Sequence, residues 1–210
     1  MTEPAPISEV ESRLRQLHPD ARYELDFETP FQLLVATILA ARCTDERVNR
    51  VTKTLFERYP DPTAYAEADL EALEQDVRPT GSYKTKARAL QGMARALLDR
   101  FGGEVPETMD ELVTLSGVAR KTANVVLNMA FGIPSGVIVD AHVARVSQRM
   151  GLTRQKKAER IEQDLMQALP REDWTHFGPA MVLLGRYICK ARAPQCGECP
   201  MDDICPRLDV

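Results

Sequence analysis

Four of the five cysteines lie close together, in the pattern Cys189-x6-Cys196-x2-Cys199-x5-Cys205. From Cys189 onward, proline, glycine and cysteine replace the helical patterning of the rest of the chain. A segment this short and irregular cannot pack by itself, because it has too little apolar surface to bury. The fold must therefore include a staple made by these cysteines.

Disulfides, zinc and an iron–sulfur cluster could each supply this staple. Disulfides are disfavoured in a cytosolic protein, and Cys-x2-Cys is also a zinc spacing. One short loop supplies all four thiolates, whereas zinc ribbons usually use two separated pairs, and thiolate-only ligation suits iron–sulfur chemistry. The spacing thus favours a [4Fe–4S] cluster and leaves zinc as the alternative. The fifth cysteine, Cys43, ends an apolar segment and is expected to pack.

Helical periodicity dominates the rest of the chain. Residues 31–42 are apolar nearly all round, as in a buried helix, and a second helix is expected after the cap Thr44-Asp45. Residues 83–101 carry one apolar stripe and end at a glycine pair. Further helices are predicted over 108–115, 119–131, 140–150, 156–169 and 173–189, and only 136–139 looks extended. These patterns predict an all-α protein.

The net charge of −4 argues mildly against nucleic acid as a partner, because DNA-binding domains are usually basic. The charges are unevenly spread, however. Residues 141–157 contain no acid and could form a local basic face, with Arg145, Arg149, Arg154, Lys156 and Lys157. The longest apolar run, 31–41, is too short to span a bilayer, and the acidic N-terminus is unlike a secretory signal. A cytoplasmic protein with no membrane partner is expected.

A tight glycine-bearing turn separates two predicted helices within residues 112–124. The amides at the start of the second helix point outward, and such amides suit a DNA phosphate regardless of base sequence. Leu115, Gly117, Ala119 and Arg120 are therefore candidate DNA contacts. The alternative interpretation is an ordinary corner between two helices.

Lys121 lies in the first turn of that second helix, where the helix macrodipole and the neighbouring Arg120 both disfavour an ammonium. The neutral amine is the form that can act as a nucleophile, and a solvated surface lysine is the simpler alternative. Asp140 precedes another helix start and suits an N-cap. It is also a candidate for the carboxylate that stabilises positive charge on a sugar as a glycosidic bond breaks.

Together these segments resemble the endonuclease III family of helix-hairpin-helix DNA glycosylases, over about residues 8–206. The resemblance rests on residues 115–126, on Val139-Asp140-Ala141-His142, and on residues 185–189 followed by the four-cysteine pattern. It implies a six-helix barrel domain over 24–135 that contains the hairpin. It also implies a discontinuous domain of 1–23 and 136–210 that holds a [4Fe–4S] cluster, with a DNA cleft between the two.

The resemblance further implies a bifunctional glycosylase and abasic-site lyase of base excision repair that removes oxidised pyrimidines. Lys121 would attack the sugar C1′, expel the base, form a Schiff base and nick the strand by β-elimination, with Asp140 assisting. The implied partner is double-stranded DNA containing damaged bases or abasic sites, bound by a monomer that is nucleoid-associated in a prokaryote. Lys190 and Arg192, inside the cysteine loop, are the implied phosphate contacts.

Several positions depart from the family pattern. The hairpin usually reads Leu-Pro-Gly-Val-Gly, but this chain has Ser116 and Ala119; alanine would cost about 1–2 kcal/mol if position 119 is left-handed. Arg42 stands where a glutamine often fills the gap left by the flipped base. Ser82, before Tyr83, replaces a bulky apolar wedge and cannot fill a base step. Arg42, Ser82 and Tyr83 are expected to contact DNA. Abasic-site cleavage is expected to be retained and base removal to be weakened.

Other interpretations remain compatible with the residues. The charged side chains of Lys84, Lys86 and Arg88 form either a DNA-facing surface or a solvated helix start. The chain could also be a glycosylase for another lesion, such as a mismatched thymine or an alkylated base. Two alternatives from other classes are a non-catalytic DNA-binding relative and a zinc-stapled helical interaction module.

Overall fold

The computed structural model describes residues 3–210. All regular secondary structure in these residues is helical, which confirms the all-α prediction. The helices are α1 Ile7–Leu17, α2 Pro30–Leu39, α3 Asp45–Arg58, α4 Pro62–Glu67, α5 Leu70–Val77, α6 Tyr83–Phe101, α7 Met109–Leu112, α8 Arg120–Phe131, α9 Ala141–Arg149, α10 Ala158–Ala168 and α11 Trp174–Tyr187. None of the helices within the described residues has the length and apolarity that crossing a bilayer requires.

The chain divides into two compact units. One is formed by the residues up to Tyr23 together with Ile133–Val210, and the other by Glu24–Gly132. The first unit therefore contains α1 and α9–α11 with the cysteine segment, and the second contains α2–α8.

Helix α2 lies at the centre of the 24–132 unit, where it contacts α3, α6 and α8. Seven of its ten residues are buried, which explains why its sequence is apolar on nearly every side. The Thr29 side chain caps its first turn by accepting a hydrogen bond from the Gln32 amide. Helix α6 has the predicted bounds, and Gly102 ends it in the left-handed conformation with φ 61°.

The core of the other unit joins both ends of the described chain. Val10 and Leu14 of α1 are fully buried with Phe177 and Met181 of α11. The Arg13 guanidinium donates a hydrogen bond of 2.7 Å to the Pro200 carbonyl, which ties α1 to the cysteine segment. The N-terminal helix and the cysteine segment therefore belong to one structural unit.

Residues 136–139 are buried and belong to no helix or strand. Helix α11 packs directly against them through Gly178, since a Cβ at that position would lie 3.1 Å from the Ile138 carbonyl oxygen. This close approach holds the backbone that leads into Asp140.

A buried ionic cluster connects α1 to α11. The His176 ring lies 2.8 Å from the Glu11 carboxylate through Nδ1 and 2.9 Å from the His18 carbonyl through Nε2. Arg15 also contacts the Glu11 carboxylate. An imidazolium can donate both of the His176 bonds, and the bond to Glu11 is the main cause of the raised pKa of His176.

This cluster predicts a pH-dependent stability. Because the pKa of His176 is raised in the folded state, its contribution is complete below the unfolded value of 6.5 and is lost as the pH rises through the folded value. His176→Gln should lower Tm by roughly 2–4 °C at pH 6 and by much less at pH 8.5. Thermal melts at the two pH values measure this. Burial lowers the pKa of His18, a second histidine of the cluster. His18 is therefore left unchanged in the wild type and the variant, so that only His176 differs between them. An equal difference in Tm at both pH values would contradict the role assigned to His176.

Candidate functional site

The segment between α7 and α8 forms a hairpin that packs closely on α6 of the same unit. The Val118 amide donates to the Leu115 carbonyl over 3.2 Å and closes the turn. Gly117 has φ 77°, and a Cβ there would lie 2.8 Å from the Cβ of Ala89 in α6. The site therefore requires glycine for its backbone conformation and for its packing.

Buried and exposed positions alternate around this turn. Leu115 and Val118 are 3% and 7% exposed and anchor the hairpin, whereas Gly117, Ala119 and Arg120 are exposed. The Leu115 side chain is buried in the hairpin, so a DNA contact at this residue would use its backbone. The condition for strain at Ala119 is not met, because its backbone is extended, with φ −88° and ψ 167°.

Lys121 lies on the exposed side of the first turn of α8. The same helix is held in the core by a run of buried residues, Ala123–Asn128. Ala119 is the N-cap and has no side-chain capping bond, and the first helical hydrogen bond is donated by the Ala123 amide over 3.0 Å. The hairpin thus presents a primary amine beside helix-start amides that no cap side chain occupies.

Asp140 is the N-cap of α9. Its Oδ1 accepts hydrogen bonds from the amides of His142 and Val143, at 2.8 and 2.9 Å. The capping role considered from the sequence is therefore confirmed. Both capping bonds use the same oxygen, so the cap does not require Oδ2 of this half-buried carboxylate.

All four clustered cysteines line one pocket, which has about 370 Å³ of empty volume including space open to solvent. None of these thiols forms a disulfide. Four thiols that line one pocket match the ligand set of an iron–sulfur cluster.

Burial raises the pKa of the Cys199 and Cys205 thiols. Ligation needs thiolates, and a bound metal centre would supply positive charge that stabilises them. Arg149 lies close by, with Nη1 3.4 Å from the Cys189 sulfur. It also donates 2.7 Å and 3.1 Å hydrogen bonds to the carbonyls of Lys190 and Ala191, which fixes the loop that follows the first cysteine.

The basic face predicted for residues 141–157 is only partly present. Arg149 is buried, and the half-buried Arg145 donates to the carbonyls of Gly185 and Cys189 at 2.8 and 3.2 Å. Both guanidinium groups donate to backbone carbonyls, so these two arginines do not present a positive charge to solvent. The remaining three basic residues of the segment are exposed, as are Lys190 and Arg192 in the cysteine loop.

Comparison with known proteins agrees with this arrangement. Residues 35–171 match the HhH-GPD superfamily of base excision DNA repair proteins, and residues 189–205 match the iron-sulfur binding domain of endonuclease III. Endonuclease III of Synechocystis is 53% identical over 193 residues, 92% of this chain and 88% of that protein. The chain belongs to the endonuclease III family. The enzyme of Escherichia coli is 40% identical, over 94% of this chain and 93% of that protein.

Solved structures of the endonuclease III family have the same fold. A non-covalent endonuclease III–DNA complex and a trapped endonuclease III–DNA covalent intermediate each match with TM-score 0.92 and 46% identity, covering 96% of this chain and 94% of theirs. A thermostable thymine-DNA glycosylase matches at TM-score 0.84 and 22% identity, over 95% of each chain, which shows the fold alone. The predicted helix-hairpin-helix glycosylase fold is confirmed.

Two further predictions are confirmed by this membership. The cofactor of this endonuclease III family member is a [4Fe–4S] cluster. The chain is an enzyme of base excision repair, a DNA glycosylase and abasic-site lyase.

Two of the positions that depart from the endonuclease III pattern share an unusual backbone. Arg42 and Ser82 are exposed and left-handed, with φ 55° and 48°, although neither is glycine. Such residues carry a conformational cost and are often found at functional sites. The half-buried ring of Tyr83 follows directly, with the Arg78 guanidinium 5.8 Å from its centroid. Arg78 adds a cation to this surface that the sequence did not single out.

Lys86 does not lie on the surface. It is 5% exposed, and its Nζ donates to the carbonyls of Leu39 at 2.8 Å and Thr80 at 2.7 Å. Burial lowers the pKa of this lysine. Its spacing from Leu90 and Met93 places it on the apolar stripe of α6, and that register is the sequence signal that could have indicated its burial.

Proposed function

We propose that this glycosylase and lyase acts on double-stranded DNA that contains abasic sites or oxidised pyrimidines, with Lys121 as its nucleophile. The observation that carries the proposal is the exposed amine of Lys121 at the start of α8, on a helix whose opposite face is buried. A nucleophile must be accessible to the substrate and held in place, and this position satisfies both conditions.

The Lys121 amine would attack C1′ of the damaged nucleotide. The N-glycosidic bond breaks, and the base leaves with the bonding electrons and is protonated. The C1′–O4′ bond then breaks, O4′ takes a proton, and the lysine nitrogen and C1′ form a protonated Schiff base. Loss of a C2′ proton then expels the 3′ phosphate by β-elimination, and water releases the enzyme. At an abasic site the free aldehyde enters the same sequence without the base-removal step.

Asp140 would provide the negative charge that stabilises the sugar as positive charge develops on it. Its two capping bonds fix the carboxylate relative to α9 while leaving Oδ2 outside the cap. A carboxylate held by backbone amides costs little reorganisation when charge develops nearby. The cap and the catalytic role are therefore compatible.

Phosphate contacts would come from both units. In the hairpin they are the helix-start amides with Gly117, Ala119 and Arg120, and the backbone of Leu115. In the cysteine loop they are the exposed side chains of Lys190 and Arg192. Cys189, Cys196, Cys199 and Cys205 would hold the cluster, which when bound cross-links this loop. A protein acting on chromosomal DNA would be nucleoid-associated in a bacterial cytoplasm, and we propose that it acts as a monomer.

Base removal should be slow relative to abasic-site cleavage. Opening a base step costs a few kcal/mol, and the exposed Ser82 offers no apolar surface to replace the lost stacking. Arg42 is exposed and could stack on or hydrogen-bond to the orphaned partner base. Single-turnover rates on matched duplexes with thymine glycol or an abasic site test the proposal. Efficient release of thymine glycol would contradict the expectation that base removal is slow. Absence of cleavage on abasic DNA would contradict the proposed function itself.

Ser82→Leu is expected to accelerate thymine glycol excision by about tenfold, which is about 1.4 kcal/mol of barrier. Leucine would project from the same exposed position and fill the opened step, and Ser82 makes no side-chain capping bond that would be lost. Excision assays on the thymine glycol duplex measure the gain. Ser82→Ala is the matched control, because it removes the hydroxyl without adding a wedge. A leucine variant no faster than alanine would count against the wedge argument.

A further inference from the structure

The buried ammonium of Lys86 joins two chain segments that are distant in sequence. One acceptor is the carbonyl of Leu39, the last residue of α2, and the other is the carbonyl of Thr80, the last residue of the 3-10 turn before α6. The two residues are separated by all of α3, α4 and α5. A single side chain therefore bridges the end of one helix and the beginning of another.

Both carbonyls need an external donor. In a continued helix the Leu39 carbonyl would accept from the Cys43 amide, but that amide donates instead to Ala40 over 3.0 Å. The carbonyl end of a helix also carries the negative end of the macrodipole, which favours a cation. The Thr80 residue is itself 2% exposed, so water does not readily replace Lys86 there.

The bridged segments carry two non-glycine residues that have a left-handed backbone and that are assigned above to DNA contacts. Arg42 follows Leu39 by three residues, and Ser82 follows Thr80 by two. Each is exposed and has φ near 50°. Between each carbonyl and its exposed residue lies only a short turn, so fixing the carbonyls also fixes where the turns begin.

We propose that Lys86 is a positioning residue for DNA opening, which sets the spacing between Arg42 and Ser82 by clamping the two turns that carry them. The inference rests on the proposed function, since it assigns these two residues to the distorted base step. Lys86 itself is buried and does not contact DNA. Its proposed effect is exerted through the carbonyls of Leu39 and Thr80.

The same two helices also support the hairpin, so the test must separate DNA opening from the chemistry of Lys121. Gly117 lies close enough to Ala89 of α6 and Ile38 of α2 that its absent Cβ would contact both. Loss of Lys86 would therefore also disturb the helices on which the hairpin packs. An abasic site within a pre-opened internal loop of mismatched nucleotides avoids this ambiguity, because it needs the nucleophile but not the opening of a paired step.

The test compares the wild type with Lys86→Met, and with Lys53→Met as a matched control. Lys53 is an exposed lysine of α3 in the same unit, so the control makes the same change in charge. Single-turnover cleavage is measured on a fully paired abasic duplex and on the pre-opened one. Fluorescence of 2-aminopurine next to a stable abasic analogue reports unstacking directly. Circular dichroism melts monitor folding. Should Lys86→Met fail to fold, Lys86→Gln replaces it; its side chain keeps N–H donors but is one bond shorter, so a smaller loss on the paired duplex alone is expected.

Lys86→Met should lose at least tenfold in rate on the paired duplex, change less than twofold on the pre-opened duplex, and show a reduced fluorescence increase. Lys53→Met should match the wild type on both. Equal losses on the two duplexes would overturn the proposal in favour of a general structural role, and no loss on either would overturn it outright. Absence of cleavage by the wild type would instead contradict the proposed function.

Discussion

Replacing Lys121 with alanine is expected to abolish the covalent DNA adduct that borohydride traps on abasic DNA and to slow strand cleavage by at least about 1,000-fold. That loss is about 4 kcal/mol of transition-state stabilisation. Lys121 is the only lysine within residues 112–124, so no neighbouring amine in the hairpin or the first turn of α8 can replace the missing nucleophile. The measurement is single-turnover cleavage together with gel analysis of the reduced adduct.

Alanine at this position should leave the fold intact. Lys121 is exposed, and alanine is the most favourable residue in a helix. The melting temperature, the yellow-brown colour of the cluster and the affinity for an uncleavable abasic analogue should all stay close to those of the wild type. Lys53→Ala controls for the loss of one positive charge in the same unit. A trapped adduct that persists in Lys121→Ala would assign the nucleophile to another amine.

Asp140→Asn is expected to slow thymine glycol excision by at least about 100-fold while leaving stability within about 0.5 kcal/mol of the wild type. Asparagine caps a helix as well as aspartate does, so the acceptor for His142 and Val143 is kept. Only the negative charge is lost. The measurements are excision rates on the thymine glycol duplex and thermal melts of both proteins.

Asp140→Ala separates the two roles of this carboxylate. It should lose the same activity as the asparagine variant and in addition about 1 kcal/mol of stability, because the cap is removed as well. If Asp140→Asn retained wild-type excision, the residue would be a helix cap only, and the charge opposite the developing cation would have to come from elsewhere.

Helix positions were predicted well where apolar periodicity and end signals coincide. The apolar stripe of α6 and the glycine that follows it predicted the bounds of this helix correctly. The helix predicted over 31–42, in contrast, ends at Leu39 in the structure, three residues earlier. The difference arises because the α2 terminus is set by Lys86, which lies distant in sequence, and by the left-handed Arg42. Short helices such as α4 carry too few turns for a periodic signal and were not predicted.

The functional residues likewise divide into those that a local sequence signal identifies and those that depend on partners distant in sequence. Gly117 and the cysteine spacing could be identified because backbone conformation and metal ligation constrain residue type locally. Arg149 could not, since a basic residue on a polar segment resembles a surface charge until its carbonyl partners across the fold are known. For Ala119 the family pattern left the backbone conformation open, and within that turn only Gly117 is left-handed.

The unit that contains α1 is assembled from segments that are made early and late in synthesis, and this affects how the chain folds. Val10 and Leu14 bury against Phe177 and Met181, so the apolar face of α1 leaves the ribosome long before its partner helix exists. At ribosomal speeds of about 5–20 residues per second, this interval is roughly 10–30 s. Residues 24–132 are complete during that wait and can fold first. Since the cysteines follow α11, metal loading comes last, and α1 is without its partner helix until α11 has been made.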